Sequence, residues 1–420
     1  MNFELIDGAN IVASTNKNFD HSVGYHDIKP FNAENENLIL IHRYPRDLTN
    51  YNKKIKIDIC LWDHKNDIMS ELDETIAWSW EQGSRLQWLN KNELIYNISD
   101  NLGIKSCIYN IHNKHKKKLN YPIYSYSPET KNFLYINYSR LWILWKSYGY
   151  FSNTGYNFEN KSDEDGVFLS DLNNNNELIL SIKDAVNLCD LNNIDTPFFI
   201  AHPTFSPDGE KFVSLLRFFN SSGSLISYLI CTEIKSKKHR IISRERVSHF
   251  EWINNDKIVV WSRNINKNLQ SFRTNKFLEK YFVSNAKKVL NLLSPNIKKN
   301  IISTHYHLID VNNGNHKILD KKNLIEDGHP QISTDEKYLI TDTYPNENDF
   351  QKLLLYNIHK DQTLELGKFK SSSHLRENHV KYDLHPRWSC SGKLISIDSS
   401  HEGSRQSYII NIEKILKKFS

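Results

Sequence analysis

The feature of this sequence that most constrains its fold is a short unit that recurs seven times. In each unit an aromatic or apolar residue is followed by a polar turn rich in Asn, Asp, Ser, Pro or Gly, and then by a strand-like run. The units begin at Phe31, Trp88, Tyr126, Phe205, Trp252, Ile332 and Trp388. Seven units in this chain have about 60 residues each, which is enough for one small sheet per unit.

The hydrophobic pattern of the chain has a period of two. Runs such as 93–97 (ELIYN), 257–261 (KIVVW) and 337–341 (KYLIT) are rich in β-branched and aromatic residues, which predicts short strands. One small sheet cannot bury both of its faces, but seven packed radially can. We therefore predict an all-β, seven-bladed β-propeller that forms a single domain over residues 1–420. The alternative is a two-sheet sandwich with a second domain, but no Pro/Gly/Ser-rich linker divides the chain.

The uneven spacing of the units predicts insertions. The two longest intervals run from Tyr126 to Phe205 and from Trp252 to Ile332. Within the second, residues of about 264–304 contain the best helical pattern of the chain at 277–293, and we expect a short helical insertion there. A weaker helical pattern covers 411–419. The short interval before Tyr126 predicts that the third unit is abbreviated.

Composition excludes several classes of protein. The formal net charge of +5 is too small and too scattered to require a nucleic-acid partner. An aromatic content of 12% excludes global disorder. No apolar run approaches the ~18 residues that span a bilayer, and residues 1–8 (MNFELIDG) lack the features of a secretory signal. Five widely spaced cysteines with no CxxC pair indicate neither a disulfide framework nor a zinc ribbon. We expect a soluble, cytoplasmic protein that binds no membrane.

Histidines recur at one phase of the repeat. Four of them, His202, His249, His329 and His385, stand three residues before the aromatic or apolar residue that opens a unit. His26 stands five residues before Phe31 and misses this phase. Imidazoles that converge on one axis are suited to Zn²⁺, Mn²⁺ or a similar ion, to a carboxylate, or to acid and base catalysis. The alternative is that each histidine only makes a hydrogen bond within its own blade.

Other polar residues lie near these histidines in the sequence. Those that we consider as further site residues are Arg85, Gln87, Arg217, Tyr344, His379, Asp383, Arg387 and Arg405. Taken singly, each is better explained by a surface salt bridge or by a bond that stabilises a turn.

The histidine motifs resemble those of a known family. HPTFSPDG (202–209), SHFEW (248–252), GHPQIS (328–333) and DLHPRWS (383–389) are similar to blade motifs of the oligogalacturonate lyases. The resemblance implies a cytoplasmic seven-bladed propeller that carries out β-elimination on a short uronic-acid oligosaccharide with the help of a divalent metal, usually manganese. Zinc or calcium are the alternative ions.

The resemblance also implies roles for particular residues. His329 and His385 match metal ligands, and His249 matches a residue beside the substrate that orients it or acts as acid or base. The lyases add a Gln and a His before the second ligand, where this chain has Val380 and Asp383. Asp383 can ligate a hard cation, and His379 is adjacent to Val380. The lyases also use an arginine as base, for which Arg217, on the strand after the His202 turn, is the candidate here. We also consider His202 as a catalytic residue.

Such a site suits chemistry at C5 of a uronate. Its proton is acidic only when the adjacent carboxylate is neutralised, which a metal or an arginine achieves. A base must reach C5 and an acid must reach O4. We therefore expect a metal-assisted lyase with an acidic oligosaccharide as its partner, and Arg85, Gln87, Tyr344, Arg387 and Arg405 as substrate-binding residues. Epimerisation is a branch of the same chemistry. A non-catalytic propeller that binds a saccharide or a protein in polysaccharide biosynthesis is the alternative.

Overall fold

A computed structural model describes residues 2–46, 48, 54–151, 158–263, 304–372 and 382–419. Within these residues seven antiparallel sheets follow one another in sequence order, as the blades of a propeller. The predicted all-β propeller with seven blades is confirmed, and the two-sheet sandwich is excluded.

The strands divide among the blades as follows. β1 (Phe3–Leu5) and β2 (Asn10–Ser14) come first and join the last two blades. Blade 1 contains β3 (Asp20–Ser22), β4 (Leu38–Tyr44), β5 (Ile57–Asp63) and β6 (Ile68–Thr75). Blade 2 contains β7 (Gln87–Trp88), β8 (Glu93–Asp100), β9 (Gly103–Asn110) and β10 (Lys116–Leu119). Blade 3 contains β11 (Ser125–Ser127), β12 (Asn132–Tyr135), β13 (Gly166–Asp171) and β14 (Asn176–Ser181), with helices α1 (Tyr138–Leu144) and α2 (Ile182–Leu188).

The remaining blades repeat this order. Blade 4 contains β15 (Phe198–Phe205), β16 (Lys211–Phe219), β17 (Leu225–Glu233) and β18 (Lys238–Ser243). Blade 5 contains β19 (Val247–Trp252), β20 (Lys257–Arg263), β21 (Thr304–Asp310) and β22 (His316–Ile318). Blade 6 contains β23 (Gln331–Ile332), β24 (Tyr338–Asp342), β25 (Phe350–Asn357) and β26 (Gln362–Lys370). Blade 7 contains β27 (Arg387–Trp388), β28 (Leu394–Ser399) and β29 (Gln406–Asn411), and helix α3 (Glu413–Phe419) follows.

The N-terminal segment closes the propeller. β2 pairs antiparallel with β29 and is the fourth strand of blade 7, while β1 pairs with β26 and is a fifth strand of blade 6. Residues from both ends of the chain therefore form one sheet, and β2 completes the last blade as its outer strand.

Apolar side chains fill the space between neighbouring blades. Val213 and Leu229 of blade 4 pack with Val260 and Ile309 of blade 5. The other face of blade 5 packs in the same way against blade 6, with Tyr306 against Leu339. Alternation of side chains along each strand supplies both layers, because successive residues point to opposite faces.

Three details bear on the expectations from sequence. The third unit is not abbreviated, because blade 3 has four strands; β11 and β12 are simply short, at three and four residues. The predicted helix over 411–419 is confirmed by α3. The predicted insertion at 264–304 and its helix lie outside the described residues, except for Thr304 in β21, and the single-domain boundary stays a prediction.

None of the three described helices has the length or apolar character that a membrane crossing needs.

Candidate metal centre

The histidines that share a phase of the repeat come together at the inner strands. The ring centroids of His249 and His329 are 4.2 Å apart, and those of His329 and His385 are also 4.2 Å apart. All three rings are buried. The expected convergence of imidazoles from separate blades is therefore present for these three histidines.

Local backbone irregularities aim these side chains inward. The pairing of β15 with β16 shifts register between Ala201 and Thr204, around His202, and the pairing of β19 with β20 shifts around His249. A bulge re-aims the side chain that it carries. His202 and His385 also have positive φ angles of 54° and 42°, which non-glycine residues adopt only where the surroundings impose it.

His202 contacts the histidine cluster through Tyr25. Its ring stacks on Tyr25 with centroids 5.2 Å apart, and Tyr25 also contacts His385 at 5.1 Å. The Nδ1 atom of His202 lies 2.8 Å from the hydroxyl of Tyr124, and its Nε2 atom lies 3.5 Å from Nη1 of Arg217. Burial and the nearby Arg217 hold the pKa of His202 well below its usual range.

Tyr25 and His26 are the functional candidates that the sequence pattern missed. In blade 1, Ser22 pairs with His42 and Phe31 pairs with Ile39 of β4. The two paired positions are nine residues apart on the inner segment but only three residues apart on β4, so the inner segment contains six extra residues. The extra residues, with Tyr25 and His26 among them, lie in the central cluster, where His26 is 5.3 Å from His329. The displaced phase of His26 is the signal in the sequence, because it reflects the length of the loop over residues 23–30.

Three of the buried residues form a possible metal site. Ligand atoms of His329, Asp383 and His385 all lie within 4.8 Å of one another. Both ring nitrogens of His385 are buried and have no hydrogen-bond partner. A buried imidazole with two unsatisfied nitrogens is costly unless something binds it. Two imidazoles and a carboxylate therefore fit a divalent cation at this position.

Asp342 orients both of these histidines. Its Oδ1 atom accepts hydrogen bonds from the backbone amide of His329 (2.7 Å) and from the ring Nδ1 of His329 (2.9 Å). Its Oδ2 atom accepts from the backbone amide of His385 at 3.0 Å. The bond to Nδ1 leaves Nε2 of His329 available to a metal. Burial lowers the pKa of His329, against the opposing effect of Asp342, and burial together with His329 and Arg387 holds the pKa of His385 well below its usual range. Neutral imidazoles are the form that binds metals.

A second histidine–carboxylate pair lies beside this site. Nδ1 of His249 is 2.9 Å from Oδ1 of Asp327 and 3.1 Å from the hydroxyl of Ser248. The ring of Tyr344 lies 6.3 Å from His249 and 5.7 Å from His329. Tyr344, which we expected to bind substrate, thus borders the histidine cluster.

Solved structures show where this arrangement of blades occurs. An oligogalacturonate lyase in complex with manganese matches with a TM-score of 0.64 and 13% identity, over 99% of this chain and 97% of that chain. The oligogalacturonate lyase of Vibrio parahaemolyticus matches with a TM-score of 0.61 and 10% identity, over 99% and 97% of the two chains. This chain has the propeller fold of the oligogalacturonate lyases. No family model and no curated protein matches its sequence.

In this oligogalacturonate lyase fold, Arg217 and its neighbours form one wall of the cluster. The guanidinium of Arg217 lies 4.6 Å from the ring centre of Trp145, which stacks on Tyr148 at 3.8 Å. Both aromatic residues come from the connection between β12 and β13. Burial lowers the pKa of Arg217. The candidate base therefore lies beside His202, in an aromatic setting.

The other predicted substrate-binding residues of the lyase-like propeller already have partners. Arg85 makes a buried two-pronged ion pair with Asp27, with both distances 2.8 Å. Gln87 donates to the carbonyl oxygens of Arg85 and Tyr124.

Two further arginines are fully buried. Arg387 donates to the carbonyl oxygens of Gly24 and Tyr25. The guanidinium of Arg405 lies 5.2 Å from the ring of Trp80 and 5.4 Å from that of Tyr382. Their substrate roles, and those of Arg85 and Gln87, stay predictions. His379 lies outside the described residues.

Proposed function

We propose that this protein is a metal-assisted lyase that acts on a uronic-acid-containing oligosaccharide by β-elimination. The observation that carries the proposal is the buried set His329, Asp383 and His385, with Asp342 behind it, at the centre of a fold that oligogalacturonate lyases also have. A solved protein of that fold is in complex with manganese, and we propose Mn²⁺ for this site as well.

The metal-binding role falls to His329, His385 and Asp383. A divalent cation, when bound there, would neutralise the substrate carboxylate and acidify the adjacent C5 proton. Asp342 holds the ligand imidazoles in place and sets the tautomer of His329.

The proton-transfer roles fall to residues around Tyr25. Arg217, whose pKa is lowered by burial, accepts the C5 proton, and His202, which burial keeps neutral, lies beside it with Nε2 3.5 Å from Nη1 of Arg217. Asp327 orients the ring of His249 through Nδ1, and His249 donates a proton to O4 as the C4–O4 bond breaks. The products are a C4=C5 unsaturated uronate and a free hydroxyl. Return of the proton to the opposite face of C5, without bond cleavage, would instead give the epimer.

We also place the protein in the cytoplasm. All five cysteines are free, which suits a reducing compartment.

The deciding experiment measures metal content and product together. The full chain, loaded with Mn²⁺ and mixed with oligogalacturonides, oligoglucuronides and oligomannuronides, should give the ultraviolet absorbance of an unsaturated uronate with at least one of them. His329→Ala and His385→Ala should lose both metal and activity. The control His359→Ala changes an exposed histidine in the turn between β25 and β26 of blade 6, and it should keep both. Saccharide binding without absorbance change would favour a binding propeller, and the absence of any bound metal would refute the proposal.

A further inference from the structure

A chain of buried polar side chains leads from Gln82 through Tyr124 and His202 to Arg217. Nε2 of Gln82 contacts the hydroxyl of Tyr124, and that hydroxyl lies 2.8 Å from Nδ1 of His202. On the other side of the imidazole, Nε2 of His202 lies 3.5 Å from Nη1 of Arg217. The nitrogen of His202 that carries the proton therefore decides whether Arg217 faces a donor or an acceptor.

The ring of His202 is neutral, so one of its nitrogens donates a hydrogen bond and the other accepts one. Burial, with Arg217 beside the ring, holds the pKa of His202 well below its usual range. Tyr25 stacks on the ring at 5.2 Å, and the rings of Trp145 and Tyr148 lie roughly perpendicular to it at 5.9 and 5.3 Å. Because these neighbours are aromatic, the polar atoms at the two ring nitrogens set the tautomer.

The direction of the hydrogen bonds places the proton of His202 on Nε2. The NH₂ group of an amide only donates, so Gln82 uses a lone pair of the Tyr124 hydroxyl and leaves its O–H to donate to Nδ1 of His202. Nε2 of Gln82 also lies 3.4 Å from the same Nδ1 atom. Nδ1 thus faces two donors and acts as the acceptor, which leaves Nε2 as the protonated nitrogen.

Arg85 strengthens the hydroxyl of Tyr124 as a donor. Its guanidinium, which is paired with Asp27, lies 4.0 Å from the centre of the Tyr124 ring. A cation over the ring draws electron density from the phenol. Burial raises the pKa of Tyr124 and Arg85 opposes that effect, so the phenol keeps its proton and shares it with His202.

Arg217 lacks the counter-charge that other buried arginines have. Arg85, Arg140 and Arg387 each form an ion pair with an aspartate. Within the part of the chain that the structure describes, no carboxylate lies within 4.0 Å of the Arg217 guanidinium. Its Nη2 atom lies 3.5 Å from the carbonyl oxygen of Ser248, and its Nε atom is buried without a hydrogen-bond partner. The charged form of Arg217 is therefore poorly stabilised.

We propose that Tyr124, with Gln82 behind it, is a positioning residue that holds His202 as the Nε2–H tautomer and thereby favours the neutral form of Arg217. A guanidinium would set an N–H group against the N–H group of His202, whereas a neutral guanidine offers a lone pair to it.

The neutral form of Arg217 is the one that a base requires, and this consequence rests on the proposed function. The contact with His202 is long, so the lone pair is released to the substrate at little cost. The C5 proton joins that lone pair, and the electrons of the C5–H bond form the C4=C5 bond as the C4–O4 bond breaks.

Nitrogen-15 NMR of the histidine-labelled full chain tests the tautomer directly. Zn²⁺ replaces Mn²⁺ in the sample because it is diamagnetic, and the His202→Gln spectrum identifies the signals of His202. We expect a protonated Nε2 and an unprotonated Nδ1 in the wild type, and a population of the Nδ1–H form in Tyr124→Phe. The control Tyr135→Phe also removes a hydroxyl hydrogen bond from blade 3, and it should leave these signals unchanged. A wild-type ring protonated on Nδ1, as a reversed Gln82 amide would produce, overturns the proposal.

Turnover gives the second readout. With an oligouronide that the wild type cleaves, Tyr124→Phe should lower kcat by about 10- to 100-fold, the usual cost of losing a residue that orients a functional histidine. KM and metal affinity should stay as in the wild type, and Tyr135→Phe should keep the wild-type kcat. Wild-type kcat in Tyr124→Phe would also overturn the proposal. A wild type that cleaves no oligouronide refutes the lyase activity alone, because the NMR spectrum still decides the tautomer.

Discussion

The carboxylate of Asp342 binds both the ring and the backbone amide of His329. Its second oxygen accepts the backbone amide of His385, so one buried side chain at the end of β24 fixes the start of two inner strands in neighbouring blades. Gly328 allows this close approach, because a Cβ atom there would lie 1.8 Å from the carbonyl oxygen of Asp342. Two candidate metal ligands are thereby tied to one positioning residue.

Asp342→Asn should weaken Mn²⁺ binding by about 10- to 100-fold, the usual cost of losing an outer-shell carboxylate. The asparagine side chain has only one oxygen, so it can accept from the backbone N–H of His329 or of His385 but not from both. Its NH₂ group then faces the other N–H, which has lost its acceptor. Isothermal titration with Mn²⁺ measures the change, and Asp163→Asn, at an exposed residue, is the matched control. Unchanged affinity in the Asp342→Asn variant would show that the carboxylate does not position the ligands.

Arg217→Lys should lower turnover by about 100-fold or more while metal binding stays as in the wild type, because positioned acid–base groups contribute that much. Lysine retains the charge but loses the planar contact with Trp145 and the approach to His202. Turnover at wild-type rate, with the same KM, would remove Arg217 from the reaction.

Asp27→Ala should destabilise the protein by about 3–5 kcal/mol, because Arg85 would remain buried without a counter-charge. Urea unfolding measures the loss. The double variant Asp27→Leu with Arg85→Met should be more stable than Asp27→Ala, since it buries no unpaired charge. If the double variant is less stable than Asp27→Ala, the unpaired charge of Arg85 is not the main cause of the destabilisation, and the prediction is wrong.

The metal-free protein should lose stability as the pH falls below 6.5. Burial lowers the pKa of His42 to about 4, so the unfolded chain binds this proton first and unfolding becomes easier between pH 6.5 and 4. The loss is about 1.4 kcal/mol per pH unit for each such histidine. His42→Gln removes one of the protons that the unfolded chain takes up, so the plot of unfolding free energy against pH should have a smaller slope over this range. The matched control is His115→Gln, at an exposed position, which should keep the wild-type slope.

Deletion of residues 1–14 should lower the melting temperature strongly, because it removes β2 and leaves β29 as an unpaired edge. Deletion of residues 1–7 removes only β1, the extra strand of blade 6, and should have a smaller effect. Thermal unfolding compares the two truncations. Equal melting temperatures would show that β2 does not close the propeller.

The sequence was sufficient to predict the architecture, because that depends on local features that repeat. Alternating runs set the strands, Asx, Pro and Gly residues set the turns, and an aromatic or apolar residue marks each inner strand. The repeat also placed His249, His329 and His385 in phase, which was enough to expect them at one centre. Asp383 was identified through the family resemblance.

Other parts of the site depended on contacts between residues far apart in the chain. Tyr25 and His26 lie in a loop after β3 whose length is visible only once Phe31 is paired with Ile39. Arg85 makes its ion pair with Asp27, which lies 58 residues away and which no local pattern in the sequence indicates. Periodicity tells which way a side chain points within its own blade, but the partner of a buried charge is decided by packing between blades, where burial makes each unpaired group costly.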